Sequence, residues 1–242
     1  MRCVQEKSML FGMKCIILAA GEGVRMRPLT LTTPKPMLRV SGKPLLQHLL
    51  EAVPDEISEF LIVVGYLGSQ IKEFFGGSWH GKPITYITQN EKRGTAHALS
   101  LCEEYLKSEN MFMVMFADDI HGSDGMRACI EQRKPSILVA HVDDPRKFGV
   151  VEIDAEGKVI GLEEKPENPK TNLVGNGVYV LNKYIFDYPV PMRDNGEEYL
   201  PERIAAMIKA GHEFYAVEST FWHPVGYPED LQKAEEILEQ EE

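Results

Sequence analysis

"GEGVRMRPLTLTTPKPM", residues 21 to 37, follows directly on the apolar run "KCIILAA" (14 to 20). A buried strand running into a glycine turn offers backbone N–H groups to a phosphate without side-chain obstruction. A helix starting behind the turn would add its dipole. The turn is not a dinucleotide loop, because Met26 stands where G-x-G-x-x-G requires its third glycine. Gly42-Lys43 is not a Walker loop either: Pro44 follows in place of Ser or Thr, and Met37 occupies the earlier glycine position. Gly21 and Gly23 are instead accompanied by Arg25 and by Lys35, which sits between Pro34 and Pro36. Arg25 presents a fixed fork of donors, and Lys35 is a point charge on a loop stiffened by two prolines. Both suit a polyphosphate.

A chain of 242 residues with 43% hydrophobic content can bury a full core. The simplest reading is a single domain over 13–242 behind a poorly ordered N-terminal extension, residues 1–12. The net charge of −11 repels nucleic acid, and no polybasic signature reverses it, so no nucleic-acid partner is expected. Residues 21–43 nevertheless hold Arg25, Arg27, Lys35, Arg39 and Lys43 against Glu22 alone. A local cationic site in an acidic protein implies a small anionic ligand. Cys3, Cys15, Cys102 and Cys129 form no C-x-x-C pair, so neither a zinc site nor a disulfide framework is indicated, and a reducing cytoplasm is expected. No run approaches the ~20 apolar residues of a membrane span.

Apolar, β-branched runs recur at 14–20, 59–65, 84–88, 111–117 and 136–142 and read as strands buried on both faces. Between them, 43–53, 69–75, 95–106 and 124–133 carry apolar residues at helical spacing. That alternation predicts an α/β fold: a Rossmann-like, mainly parallel sheet with helices on both faces. From 148 to 164 the pattern becomes two alternating runs around Asp154–Gly157, a hairpin, which with "GVYVL" (177–181) is expected to form a smaller β-rich subregion beside the sheet. Two helices, at 199–210 and from Pro228 onward, close the chain.

"LAAGEGVRMRPLTLTTPKPM" (18–37) resembles the signature of the sugar-1-phosphate nucleotidylyltransferases, the NDP-sugar pyrophosphorylases. The resemblance continues in order through "QNEKRGTAHAL", "FADDI", "DPRKFGVVEID", "LEEKP" and "VGYPEDL", covering most of the chain after residue 13. It implies the nucleotide-diphospho-sugar transferase fold. It also implies a reaction in which a sugar 1-phosphate attacks the α-phosphorus of a nucleoside triphosphate. By that resemblance Arg25, Lys35, Asp118 and Lys165 are catalytic, and Ala20, Gly21, Gly23, Gln89, Gly94 and Thr95 bind the nucleotide. Gly149, Glu164 and Lys165 would take the sugar phosphate, and Asp118 would hold Mg2+. Uracil or thymine, glucose 1-phosphate and a homo-oligomer are the expectations for base, sugar and assembly.

Residue chemistry is consistent with these roles. Gln89 ends a strand with an amide able to donate and accept toward a pyrimidine. Asp118 ends another, where open α/β sheets place ligands, and magnesium takes one or two carboxylates with phosphates and waters. Asp119 reads equally as a cap or turn acid. The chain departs from the family at Pro224, where many relatives carry a second metal-binding Asp, leaving His223, Glu218 or water to replace it. It departs again at Gly175, where many carry Asn. A noncatalytic sugar-nucleotide-binding homologue and a glycosyltransferase of similar fold are the competing readings.

Overall fold

The computed structural model describes residues 12–239. Apart from Gly12, the expected N-terminal extension lies outside the described residues, as do residues 240–242. The strand Met13–Ala19 pairs in parallel with Ile57–Val64 on one side and Phe112–Phe116 on the other, and Lys82–Thr88 continues the parallel arrangement beyond Ile57–Val64. The central strands read as continuous apolar runs because both faces are covered. Neighbouring Leu61 and Ile62 are each 0% exposed yet belong to different clusters. Ile62 packs with Leu46, Leu49, Ile71 and Met126, from the helices Leu45–Ala52, Gly68–Phe75 and Ser123–Glu131. Leu61 packs with Leu99, Ile204 and Met207, from Gly94–Ser100 and Leu200–Lys209. The last helix spans Pro228–Glu239.

Three expectations are corrected. No α-helix follows the glycine loop: Val24–Met26, Leu29–Leu31 and Lys35–Met37 are single 3-10 turns. Pro28, Pro34 and Pro36 lack N–H groups and disfavour helical backbone before them, so no dipole of any length can build there. The helix expected over 95–106 breaks into Gly94–Ser100 and Glu103–Leu106. A tightened turn, Cys102 N–H to Leu99 O at 2.9 Å, joins the two pieces and turns Cys102 and Leu106 into the same core as Leu99.

The third correction concerns the hairpin, Gly149–Ile153 and Val159–Glu164, which lies in the main sheet rather than beside it. The strand Leu173–Leu181 pairs antiparallel with Phe112–Phe116 through Val178–Leu181 and with the hairpin through Val174 and Gly175. The hairpin therefore extends the main sheet. Ser136–His141 pairs with the other edge of Leu173–Leu181, and Tyr215–Glu218 joins in parallel beyond it, making one ten-stranded sheet among the described residues. The register of Leu173–Leu181 slips between Gly175 and Tyr179, and Gly177 takes the slip with φ +89. A Cβ there would lie 3.0 Å from the Phe116 ring, so only glycine fits.

Cys15, Cys102 and Cys129 are buried free thiols, whereas Cys3 lies outside the described residues. No described helix is long and apolar enough to cross a membrane. If the sheet is buried on both faces, Leu61→Ala and Ile62→Ala each lower the urea-denaturation stability by about 2–5 kcal/mol. A nearly neutral effect at either neighbour would mean that one face is open.

Candidate active site

A cleft of about 670 Å3 opens over the C-terminal ends of the parallel strands. Ala20, Gly21 and Gly23 lie along it where Met13–Ala19 ends; Gln89, Gly94 and Thr95 line one flank, and Arg25, Lys35 and Asp118 another. Gly149, Glu164 and Lys165 do not line it. They adjoin it through Tyr199, which lines the cleft and whose ring centroid lies 5.0 Å from Lys165 Nζ.

At the cationic end, Lys35 is buried, and its Nζ donates to Asp118 Oδ2 at 2.7 Å. A lysine flanked by prolines thus enters the fold as the partner of an acid 83 residues away. Burial opposes the Asp118 charge, but Lys35, through charge and hydrogen bond, outweighs it with help from Arg25 and holds the carboxyl below its ordinary range. Arg25 lies 5.3 Å over the Tyr227 ring, and Lys147 approaches the same ring at 5.3 Å.

The adjacent acid has a different task. Asp119 Oδ1 accepts from Val225 N–H and Oδ2 from Trp222 Nε1–H, both at 3.0 Å, so it clamps the chain's terminal segment to the sheet. Burial and the neighbouring Asp118 charge push its pKa up to about 7. Neither His223 nor Glu218 replaces the acid absent at Pro224. His223 Nε2 is 3.2 Å from Asp230 O, and Glu218 faces a separate, smaller pocket beside Trp222.

Asp118 is therefore the carboxylate that faces the cleft for magnesium. Its side chain is 38% exposed, Lys35 is bound to Oδ2, and Oδ1 is left for the cleft. No group of three or more His, Cys, Asp or Glu among the described residues could hold a metal. These residues fit a one-carboxylate magnesium site completed by substrate oxygens and water, and do not fit an all-protein cage.

At the hairpin end of the cleft, Gly149 is in register with Glu164 on one neighbouring strand and Gly175 on the other. Glu164 is buried, which raises its pKa, while Lys165 Nζ at 3.2 Å from Oε1 moderates the rise. Lys165 sits at φ +51, an uncommon left-handed backbone for a non-glycine, with its N–H fixed to Phe148 O at 2.9 Å. Arg193 escapes sequence reading altogether. Its guanidinium lies 5.0 Å from the Tyr199 ring and its Nε donates to Glu202 Oε1 at 2.7 Å, so Lys165 and Arg193 share one aromatic platform. Nothing in "PMRDNGEEY" (191–199) distinguishes that arginine from a solvated loop residue.

Across the cleft, Gln89 Nε2 donates to Gly94 O at 3.1 Å and lies 3.0 Å from His97 Nδ1. Gly94 has φ +82, and a Cβ would lie 2.5 Å from Glu198 O, so glycine is required where the helix meets the 198–200 segment. Thr95 lines the cleft, but its Oγ1 accepts from Leu200 N–H at 2.9 Å, which makes it a tie between helices as well.

The two acids should separate cleanly. Asp119→Ala strips the indole and the Val225 amide of their acceptor and is expected to cost about 2–4 kcal/mol in chemical denaturation. Asp118→Ala is expected to leave Lys35 unpaired yet spare the terminal segment, so protease protection of residues 220–239 survives in it and falls in Asp119→Ala. Equal protection in both would refute the division.

The family described as Nucleotidyl transferase matches residues 14–241. The chain is 36% identical to the bifunctional protein GlmU of Methanocaldococcus jannaschii, over 93% of this chain and 54% of that protein. It is also 36% identical to the UTP–glucose-1-phosphate uridylyltransferase AglF of Haloferax volcanii, over 95% of this chain and 98% of that one. The chain thus spans about half of the GlmU relative and nearly all of AglF. Among solved structures, a putative glucose-1-phosphate thymidylyltransferase from Bacillus anthracis in complex with a sucrose superposes with a TM-score of 0.79 at 28% identity, covering 93% of this chain and 95% of that one. A UDP-glucose pyrophosphorylase complexed with UDP-glucose superposes at 0.82 with 23% identity, over 96% of this chain and 100% of that chain, a likeness of fold. A match over nearly the whole chain, together with this cleft, makes the protein a member of the nucleotidyl transferase family.

Proposed function

We propose that the protein transfers a nucleotidyl group from UTP or dTTP to a sugar 1-phosphate, with glucose 1-phosphate favoured, and releases pyrophosphate. The observation that carries this reading is the meeting of Lys35, Arg25 and Asp118 in one cleft whose far flank is Gln89 and Gly94. AglF supports the nucleotide and the sugar by its name, and the order of motifs supports the reaction.

The chemistry asks little of a general base. A phosphate monoester has a second pKa of about 6, so the attacking oxygen is already anionic at neutral pH. The barrier lies in bringing two anions together and aligning them in line with the leaving group. Lys165 and Arg193, beside Tyr199, would hold the sugar phosphate. Arg25 and Lys35 would neutralise the departing pyrophosphate. Glu164 would accept hydrogen bonds from sugar hydroxyls, and the turn at Gly21 and Gly23 lets the nucleotide phosphates reach the backbone. Magnesium, held by Asp118 with substrate oxygens, supplies further charge neutralisation when bound.

A second reading, a sugar-nucleotide-binding homologue without turnover, is favoured by Pro224 alone. It requires ligand binding with no pyrophosphate release at any magnesium concentration.

Pyrophosphate release from UTP or dTTP with glucose 1-phosphate is the direct assay. Arg25→Ala is expected to lower kcat by at least ~10²-fold, the scale of removing an electrostatic stabiliser. Lys165→Ala is expected to raise KM for the sugar 1-phosphate more than KM for the nucleotide. Unchanged turnover in Arg25→Ala would take that residue out of the reaction.

A further inference from the structure

We infer that His97 is a positioning residue that, with the Gly94 carbonyl, holds the Gln89 amide nitrogen and so keeps its oxygen toward the cleft for pyrimidine choice. The inference rests on the proposed use of UTP or dTTP. A carbonyl can only accept, so the 3.1 Å contact with Gly94 O identifies the Gln89 nitrogen as Nε2. His97 Nδ1 lies on that same nitrogen at 3.0 Å and accepts from it when the ring proton is on Nε2. With both amide hydrogens directed at Gly94 and His97, Oε1 is left to the cleft that Gln89 lines. An acceptor there recognises the N3–H of uracil or thymine and leaves the bare N3 of cytosine without a donor.

Protonation of His97 undoes this. Nδ1–H would confront Nε2–H, donor against donor, while a half-turn of the amide would set Oε1 against the Gly94 carbonyl, acceptor against acceptor. Neither setting of the amide is then satisfied, the hold on Oε1 loosens, and the preference for a base that carries N3–H weakens. The charged groups facing His97 are Arg93 at the start of its own helix, Glu91 in the preceding loop, and Glu198 and Arg203 at the helix packed against it. Burial first, then Arg93, lowers the His97 pKa below 6.5, against the pull of Glu198 and Glu91. The neutral, acceptor form therefore prevails through neutral pH, and the switch lies on the acid side of 6.5.

The test is internal competition between UTP and CTP for one sugar 1-phosphate at pH 5 to 8, reading the product ratio. The ratio cancels the titration of the sugar phosphate and any general loss of activity. Wild type is expected to favour UTP at pH 8 and to lose that preference only below pH 6.5, by up to about tenfold once His97 is protonated, the scale of one net hydrogen bond. His97→Leu should show the reduced ratio at every pH. His97→Asn, whose side-chain oxygen can replace Nδ1 as acceptor, should keep the high ratio and lose the pH dependence. An unchanged ratio in His97→Leu beside a working UTP reaction overturns the role of His97 alone. A wild type indifferent between UTP and CTP at pH 8 overturns the base assignment and this inference together.

Discussion

The ion pair between Lys35 and Asp118, 2.7 Å long, is the constraint from which the site takes its shape. It ties a proline-bracketed 3-10 turn to the end of Phe112–Phe116, two segments that meet only because Met13–Ala19 and Phe112–Phe116 are parallel neighbours. Parallel pairing carries every glycine turn and acid at a strand end to one side of the sheet. The buried lysine cannot leave that partner without exposing an uncompensated charge. Lys35 and Asp118 are therefore held together as a pair at the cleft, and on the proposed function substrate phosphates would meet a cation already fixed in place. A cleft organised this way is ready for anions at low reorganisation cost.

Around that pair, the chain divides labour between residues that look alike in sequence. Asp118 faces the cleft, while Asp119 holds Trp222 and Val225. Glu164 is buried beside Gly149, while Glu163 next to it is exposed on the alternate strand face. Thr95 lines the cleft, and its Oγ1 also accepts from Leu200 N–H, while the Glu198 carbonyl accepts from Ala96 N–H beside it. Function and folding use the same few segments, which couples the geometry of the site to the integrity of the sheet.

Much of this was legible from sequence because its signals are local. Buried parallel strands must be apolar on both faces, so "CIIL", "FLIVV" and "MFMVMF" announced themselves. Gly21, Gly23, Arg25 and Lys35 were legible as a set, since glycine turns and clustered cations carry meaning even before folding. The prolines at 28, 34 and 36 could have warned against an α-helix behind the loop, and the structure has 3-10 turns there. What stayed hidden depends on distant partners. The Trp222 clamp on Asp119 spans 103 residues, the hairpin joins the main sheet through Val174 and Gly175 of a strand that pairs further along with Phe112–Phe116, and Arg193 finds Tyr199 through loop geometry that leaves no periodic trace. The Gln89–His97 contact is close in sequence, but only the Gly94 carbonyl reveals the direction of the amide.

The central claim is that the cations of the first loop and of the hairpin serve one ligand across one cleft. A crystal structure of the protein with UDP-glucose tests it most directly. The diphosphate should lie between Arg25 and Lys165, with uracil against Gln89 and the hexose over Gly149 and Glu164. A diphosphate bound out of reach of either cation, or two ligand molecules each occupying one of them, would contradict it.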